Sequence, residues 1–139
     1  MARAASAASA ACPCGLEAKS GQPRQLAECC GRYLDDFAGR PAPDAPSLMR
    51  SRYSAFVLER ADYLLATWHA RTRPATLSFE PDARWLGLEV RAHVSTGPAA
   101  AEVEFVARMR VAGKAVRLHE RSRFVLEAGR WVYVDGDQL

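Results

Sequence analysis

Residues Trp85–Val94 read WLGLEVRAHV, and apolar and polar side chains alternate along them. Leu86, Leu88 and Val90 fall on one face of an extended chain, and the opposite face carries Trp85, Glu89, Arg91 and His93. This period of two predicts a β-strand with one face against a core and the other in water.

The same pattern recurs three times after this strand, over residues 101–111, 115–127 and 130–134. Short turns separate these segments at residues 112–114 and 128–129, so the four strands are predicted to be antiparallel. Two helices are predicted before them: Ser47–Glu59, with Ser47 as its N-cap, and Tyr63–His69, capped by Asp62. The expected fold class is α+β, with helices covering one face of a curved antiparallel sheet.

Length and composition limit what else the chain contains. Its 139 residues, 49% of them hydrophobic, are enough for one domain with a real core. The net charge of +3 is spread along the chain, which argues against a dedicated nucleic-acid binder. No membrane helix is expected, because the longest stretch without charge, Ala4–Leu16, is too short to span a bilayer.

All four cysteines lie within the first thirty residues, as Cys12-Pro13-Cys14-Gly15 and Cys29-Cys30-Gly31. Two pairs of thiolates can supply the tetrahedron of soft ligands that Zn²⁺ prefers, and iron accepts the same ligands. Pro13 and Gly15 favour a tight turn at the first pair, and we expect Gly31 to permit the bend that the second pair needs. The alternatives are buried apolar cysteines or a redox pair. We expect a cytoplasmic location, where clustered cysteines more often hold a metal than a disulfide.

The two cysteine pairs are similar to the SEC-C motif, a small metal-binding element named after the C-terminus of the translocation ATPase SecA. Five further segments resemble the YchJ-like bacterial family: Leu48–Phe56, Ala61–Leu64, Thr67–His69, Trp85–Leu88 and Leu118–Phe124. The resemblance implies a SEC-C motif joined to a cone-shaped domain of the nuclear-transport-factor-2-like superfamily. The chain departs from the motif between the cysteine pairs, where Glu17–Pro23 are additional residues that we expect to form a surface loop.

These observations divide the chain into four parts. Residues 1–11 are predicted to be a disordered tail, residues 12–31 the metal knuckle, residues 32–46 a linker rich in proline and glycine, and residues 47–139 the cone domain. Because the core pattern begins only at Leu48, we expect the cone domain to stay folded when residues 1–31 are removed.

Glu120 interrupts the apolar face of the third predicted strand. An unpaired charge is costly inside a core, so this carboxylate needs a partner. We predict an ion pair with Arg52 through two hydrogen bonds, the alternative being a catalytic acid or base in an open pocket. The residues expected around such a pocket are Glu120, Arg52, Tyr53, Trp68, His69 and Trp131.

Three function classes follow. The first is a binding or adaptor module that contacts a protein partner in translation or export through the metal knuckle. The second is a small-molecule enzyme, of isomerase or hydratase type, that uses the pocket around Glu120; only the fold analogy supports it. The third is nucleic-acid binding through outward-facing arginines of the sheet: Arg108, Arg110, Arg117, Arg121 and Arg123. The sequence does not indicate an oligomeric state.

Overall fold

The computed structural model describes residues 10–139. Most of the predicted tail, residues 1–9, lies outside the described residues. The last two tail residues are tied down: the Ala10 carbonyl accepts a hydrogen bond from the Leu26 amide at 2.8 Å, and Ala11 forms a β-bridge with Gln25. Ala10 and Ala11 therefore belong to the folded part of the protein and not to a disordered tail. No helix of residues 10–139 is long and apolar enough to cross a membrane.

Within residues 10–139, three α-helices precede the sheet: α1 (Gly31–Leu34), α2 (Ala45–Val57) and α3 (Ala61–Ala66). The predicted start of α2 is too late. The Asp44 side chain, not that of Ser47, caps this helix, because it accepts the Ser47 amide at 2.8 Å. The predicted span of α3 is also too late, since that helix ends before Trp68 and His69.

The predicted linker, residues 32–46, is largely held in place. It starts within α1 and ends within α2, so the boundary at residue 31 falls inside a helix. Between these helices, Arg130 of the last strand donates to the carbonyls of Phe37 and Ala38 at 2.7 and 2.9 Å. These contacts fix the connection against the sheet domain.

Four antiparallel strands form one sheet in the order β1 (Ala83–Gly97), β2 (Ala100–Val111), β3 (Lys114–Glu127) and β4 (Arg130–Gln138). The predicted turns are confirmed. Gly113 and Gly129 take positive φ angles of 83° and 78° in the two hairpins, a conformation that glycine adopts without steric cost. The α+β prediction is confirmed as well.

The face assignment of β1 is wrong at its start, because the strand carries a bulge between Trp85 and Gly87. Trp85 packs on the core side, with its ring 5.4 Å from that of Tyr53, whereas Leu86 is 52% exposed. A second irregularity between Val90 and Ala92 pairs His93 with the buried Val103, although His93 itself stays exposed. An alternating pattern of residue types does not show where a bulge inserts an extra residue into a strand.

The core lies between α2 and the face of the sheet that α2 covers. It is formed by buried apolar residues of α2, α3 and the two central strands: Leu48, Tyr53, Tyr63, Leu64, Val103, Phe105 and Phe124. Burial of these large side chains is the main stabilising contribution. The four cysteines belong to the same cluster of buried residues, so the knuckle and the cone domain share one core.

Candidate metal centre and cavity

The four cysteine sulfurs meet in one buried cluster, as the spacing of the cysteines predicts. Each residue offers one sulfur, and these atoms all lie within 4.8 Å of one another. The Cys12 and Cys14 sulfurs are 3.6 Å apart, and those of Cys14 and Cys29 are 3.7 Å apart. A tetrahedron with Zn–S bonds of about 2.3 Å has edges of about 3.8 Å, so the sulfur arrangement fits such an ion.

Local backbone geometry brings the two pairs together. At the first pair, Gly15 has a φ of +78°, and its amide donates to the Cys12 carbonyl at 3.2 Å, which confirms the predicted tight turn. At the second pair the bend lies at Cys29, whose φ and ψ are −131° and −118°, and not at Gly31. Gly31 instead permits close packing, because a Cβ there would lie 2.6 Å from the Leu26 carbonyl oxygen.

The additional residues between the pairs form a small hairpin. Glu17 and Pro23 make a β-bridge, and the Ala18 amide donates to the Gln22 carbonyl at 2.9 Å. Every residue of the segment 17–23 except Ala18 is exposed. The prediction of a surface loop is confirmed.

Crowding perturbs the thiols. Hydrogen bonds from Cys14 and then Cys30 lower the pKa of Cys12, whereas the bond to Cys12 raises the pKa of Cys14 to about 11. A hydrogen bond from Cys30 lowers the pKa of Cys29 to about 7. The neighbouring thiols thus stabilise the first thiolates to form, and each thiolate opposes the ionisation of the next thiol. A cation removes that opposition.

The cluster is fastened to α2. The Ser54 hydroxyl, which is fully buried, lies 3.6 Å from the Cys12 sulfur, and Arg50 donates to the Cys14 carbonyl at 3.1 Å. Cys14 is itself 0% exposed. Side chains next to ligand atoms orient those atoms, so α2 helps to shape the cluster.

A cavity of about 220 Å³ lies between α2 and the sheet. Of the six candidate pocket residues, it is lined by Arg52, Tyr53, Trp68 and Glu120. Aromatic rings make up much of the remaining wall: Phe56, Trp85, Phe105 and Tyr133. The cavity is therefore apolar, with two charged side chains at its surface.

The other two candidate pocket residues lie elsewhere. His69 follows α3, and its Nε2 contacts the Glu127 carboxylate at 3.0 Å, while its Nδ1 accepts the Arg71 amide at 3.0 Å. Trp131 lines a separate cavity of only about 20 Å³ beside Phe37. The early end of α3 explains the first error, because it redirects the chain after Thr67.

The predicted ion pair between Arg52 and Glu120 is absent from residues 10–139, where no nitrogen of Arg52 lies within 4.0 Å of that carboxylate. Arg52 donates through Nη1 to the Leu64 carbonyl and to the Thr67 hydroxyl, both at 2.8 Å. Its guanidinium carbon lies 4.9 Å from the Trp68 ring centroid and 4.7 Å from that of Tyr133. Burial lowers the pKa of Arg52 to about 10, which leaves it charged at neutral pH.

Neutral donors surround Glu120 instead. Its Oε2 accepts from the Ser122 hydroxyl at 2.6 Å and from the Tyr133 hydroxyl at 3.4 Å, and its Oε1 accepts from the Gln138 amide at 2.8 Å. Gly136, which pairs with Ser122 across the two strands, lies beside the Glu120 side chain, and a Cβ at that position would overlap the carboxylate. Sequence reasoning missed Gln138 and Gly136, because the predicted last strand ends at residue 134, whereas β4 continues to Gln138.

The outward face of the sheet carries arginines interleaved with carboxylates. Arg108 lies 3.7 Å from Glu89, and Arg121 lies 3.6 Å from Glu104. Arg123 contacts two aspartates of β4, Asp135 at 2.6 Å and Asp137 at 2.7 Å. Three of the five arginines considered for nucleic-acid binding thus have an acidic neighbour, and this face is not uniformly basic.

Comparison with known proteins agrees with this architecture. The model of a family described as "YchJ, middle NTF2-like domain" matches residues 44–136. A UPF0225 protein of Polaromonas sp. strain JS666 is 69% identical over 129 residues, which cover 92% of this chain and 93% of the relative.

Two solved structures are similar over nearly the whole chain. A SEC-C motif containing protein from Rhodopseudomonas palustris has a TM-score of 0.78 at 31% identity, covering 94% of this chain and 99% of that one. A SEC-C motif containing protein from Psychrobacter arcticus has a TM-score of 0.78 at 30% identity, covering 93% and 82%.

Fold and site define a nuclear-transport-factor-2-like α+β domain with a cluster of four cysteines packed on its longest helix. The chain belongs to the YchJ-like family, and relatives named UPF0225 are similar to it over most of its length.

Proposed function

We propose that the protein binds one zinc ion through Cys12, Cys14, Cys29 and Cys30, and that this ion fastens the N-terminal segment to α2 of a binding module. The observation that carries the proposal is the spacing of the sulfurs, 3.6 and 3.7 Å, close to the edge of a zinc–thiolate tetrahedron. Burial of all four residues supports a structural ion rather than a catalytic one, which keeps an open position.

Metal analysis of the purified protein tests this proposal. We expect one equivalent of zinc per chain, and its loss in the variant with Cys29→Ser and Cys30→Ser. Ser54→Ala is the matched control, because it removes a hydroxyl beside Cys12 but keeps all four sulfurs. Well under one equivalent of metal, or an unchanged content in the double variant, would refute the proposal. Iron in place of zinc would keep the site and correct the ion.

We also propose a protein partner, in translation or export, that contacts the metal-bound segment. The support is the similarity of the cysteine pairs to the tail of SecA, together with the exposed hairpin beside the cluster. Because the cysteines are buried, a partner would contact the hairpin surface around Lys19 and not the sulfurs. We expect the zinc-loaded protein to retain a defined partner. We expect this partner to be lost when the metal is removed or when Lys19 is changed in Lys19→Glu.

We further propose a cytoplasmic location, since free thiols persist in reducing compartments.

The cavity supports a second candidate function, the binding or conversion of a small molecule. The observation that favours it is the presence of a buried guanidinium and a carboxylate in one apolar cavity. Polar groups that converge in an apolar cavity are typical of ligand sites.

A further inference from the structure

Arg52 presents a rigidly held guanidinium whose remaining donors reach the cavity. The residue is 4% exposed, and its guanidinium carbon lies 4.9 Å from the Trp68 ring centroid and 4.7 Å from that of Tyr133, so these two rings cover part of the group. Within residues 10–139, its hydrogen bonds involve Nη1 alone. Nε and Nη2 have no partner there. The side-chain atoms that lack both a partner and accessible surface are Arg24 Nε and Trp68 Nε1, so Nε and Nη2 of Arg52 keep some accessible surface. This free edge has the fork geometry that binds a carboxylate through two hydrogen bonds.

Glu120 offers one further acceptor position. A carboxylate has about four lone-pair sites. Ser122, Tyr133 and Gln138 use three of them, two on Oε2 and one on Oε1. Within the described residues no group donates to the fourth, on Oε1, so it can accept from a ligand.

The two charges do not neutralise each other directly, although both line the same cavity. A simple carboxylate would meet attraction at Arg52 and repulsion at Glu120, and a simple amine would meet the reverse. A neutral ligand would leave both charges uncompensated. A zwitterion, with an anionic and a cationic group close together, satisfies both.

We propose that this cavity binds a free α-amino acid with an apolar side chain, with its carboxylate on the open edge of Arg52, its ammonium group toward Glu120 and its side chain against the aromatic wall. The size of the cavity suits a small ligand of this class. Its volume of about 220 Å³ is below the range of about 300–1,000 Å³ that is typical of cavities for drug-sized ligands. The wall is formed chiefly by Phe56, Trp85 and Phe105. This inference rests on the second candidate function and is independent of the metal site.

Calorimetric titration of the full-length, metal-loaded protein tests the inference with defined probes. L-Leucine and L-methionine represent the proposed class. 4-Methylpentanoate lacks the ammonium group of leucine, and 3-methylbutylamine lacks its carboxylate. We expect the amino acids to bind at least about tenfold more tightly than either analogue, because each analogue loses one charge-assisted contact. L-Aspartate should bind at least about tenfold more weakly than leucine, since it brings a charge to the apolar wall.

Two variants assign the contacts. Arg52→Lys keeps a positive charge but loses the fork, and should weaken leucine binding by about tenfold or more. Arg123→Lys on the opposite face of the sheet is its control and should leave binding unchanged. Glu120→Gln should lower the preference for leucine over 4-methylpentanoate, whereas Glu104→Gln on the outward face should not.

The analogue series needs no variant, so a variant that does not fold leaves the test intact. Equal binding of leucine and 4-methylpentanoate would overturn the zwitterion assignment. Absence of binding by both amino acids at millimolar concentration would overturn the site. Metal content measured on the same samples separates either failure from a failure of the zinc proposal.

Discussion

Gly136→Ala tests whether the carboxylate of Glu120 is held where the structure places it. A Cβ at position 136 would approach the Cδ of Glu120 to 2.7 Å and its Cγ to 2.9 Å. These distances are too short for the two side chains to coexist, so the Glu120 side chain must leave its position. It then loses its hydrogen bonds with Ser122, Gln138 and Tyr133.

The cost can be worked from these contacts. Two short hydrogen bonds are each worth about 1 kcal/mol net, and the Ser122 hydroxyl, in a residue only 2% exposed, is left without its acceptor at a further cost of about 1 kcal/mol. Replacing glycine lowers the entropy of the unfolded chain, which offsets about 0.4–1 kcal/mol. We therefore expect Gly136→Ala to lower the free energy of unfolding by about 2 kcal/mol, or the Tm by about 7 °C.

Urea unfolding of the wild-type protein and its variants measures this. Gly87→Ala is the matched control, because Gly87 also lies in a strand, yet a Cβ there meets nothing within 4 Å. In a Glu120→Ala background the clash is absent, and Gly136→Ala should cost nothing. An equal loss of stability in both backgrounds, or a loss no larger than that of Gly87→Ala, would refute the reasoning.

Three further predictions concern stability. Glu120→Gln should cost only about 1 kcal/mol in urea unfolding, and Arg52→Met should not recover that loss, because no ion pair joins the two residues; a rescue by the second change would contradict this. The hydrogen bond from His119 holds the pKa of Glu104 below its usual value of 4.5. The ionised Glu104 carboxylate therefore makes its full contribution to stability above pH 4.5, and that contribution is lost as the pH falls through the lowered pKa. Glu104→Gln should therefore flatten the loss of stability below pH 4.5, and an unchanged acid profile would exclude this pair as a cause. Removal of residues 1–31 should leave a less stable domain, because it uncovers Ser54 and its neighbours on α2. The sequence alone led us to expect unchanged folding. An unaltered thermal transition would support that expectation, with the knuckle as an appendage.

The cysteine cluster and the sheet were predictable because each rests on a local pattern. Thiols in two close pairs have few other uses in one chain, and alternation over ten residues or more defines a strand. The hairpin turns were equally visible from Gly113 and Gly129, which supply the positive φ that such turns require.

The pocket was only partly predictable, because the residues that line it depend on a strand bulge and on a helix end that the sequence pattern does not show. A bulge moves Trp85 to the core side, and the early end of α3 turns His69 away from the cavity. Arg52 and Glu120 were correctly placed at the same cavity, yet their partners were not. Carbonyls, hydroxyls and aromatic faces contact the two groups, and such neutral partners have no signature in sequence.

X-ray absorption at the metal edge of the purified protein tests the central claim most directly, since it counts the atoms bound to the ion. A zinc ion held by Cys12, Cys14, Cys29 and Cys30 should show four sulfur neighbours at about 2.3 Å and no nitrogen or oxygen neighbour. A shell that contains nitrogen or oxygen, or fewer than four sulfurs, would contradict the account.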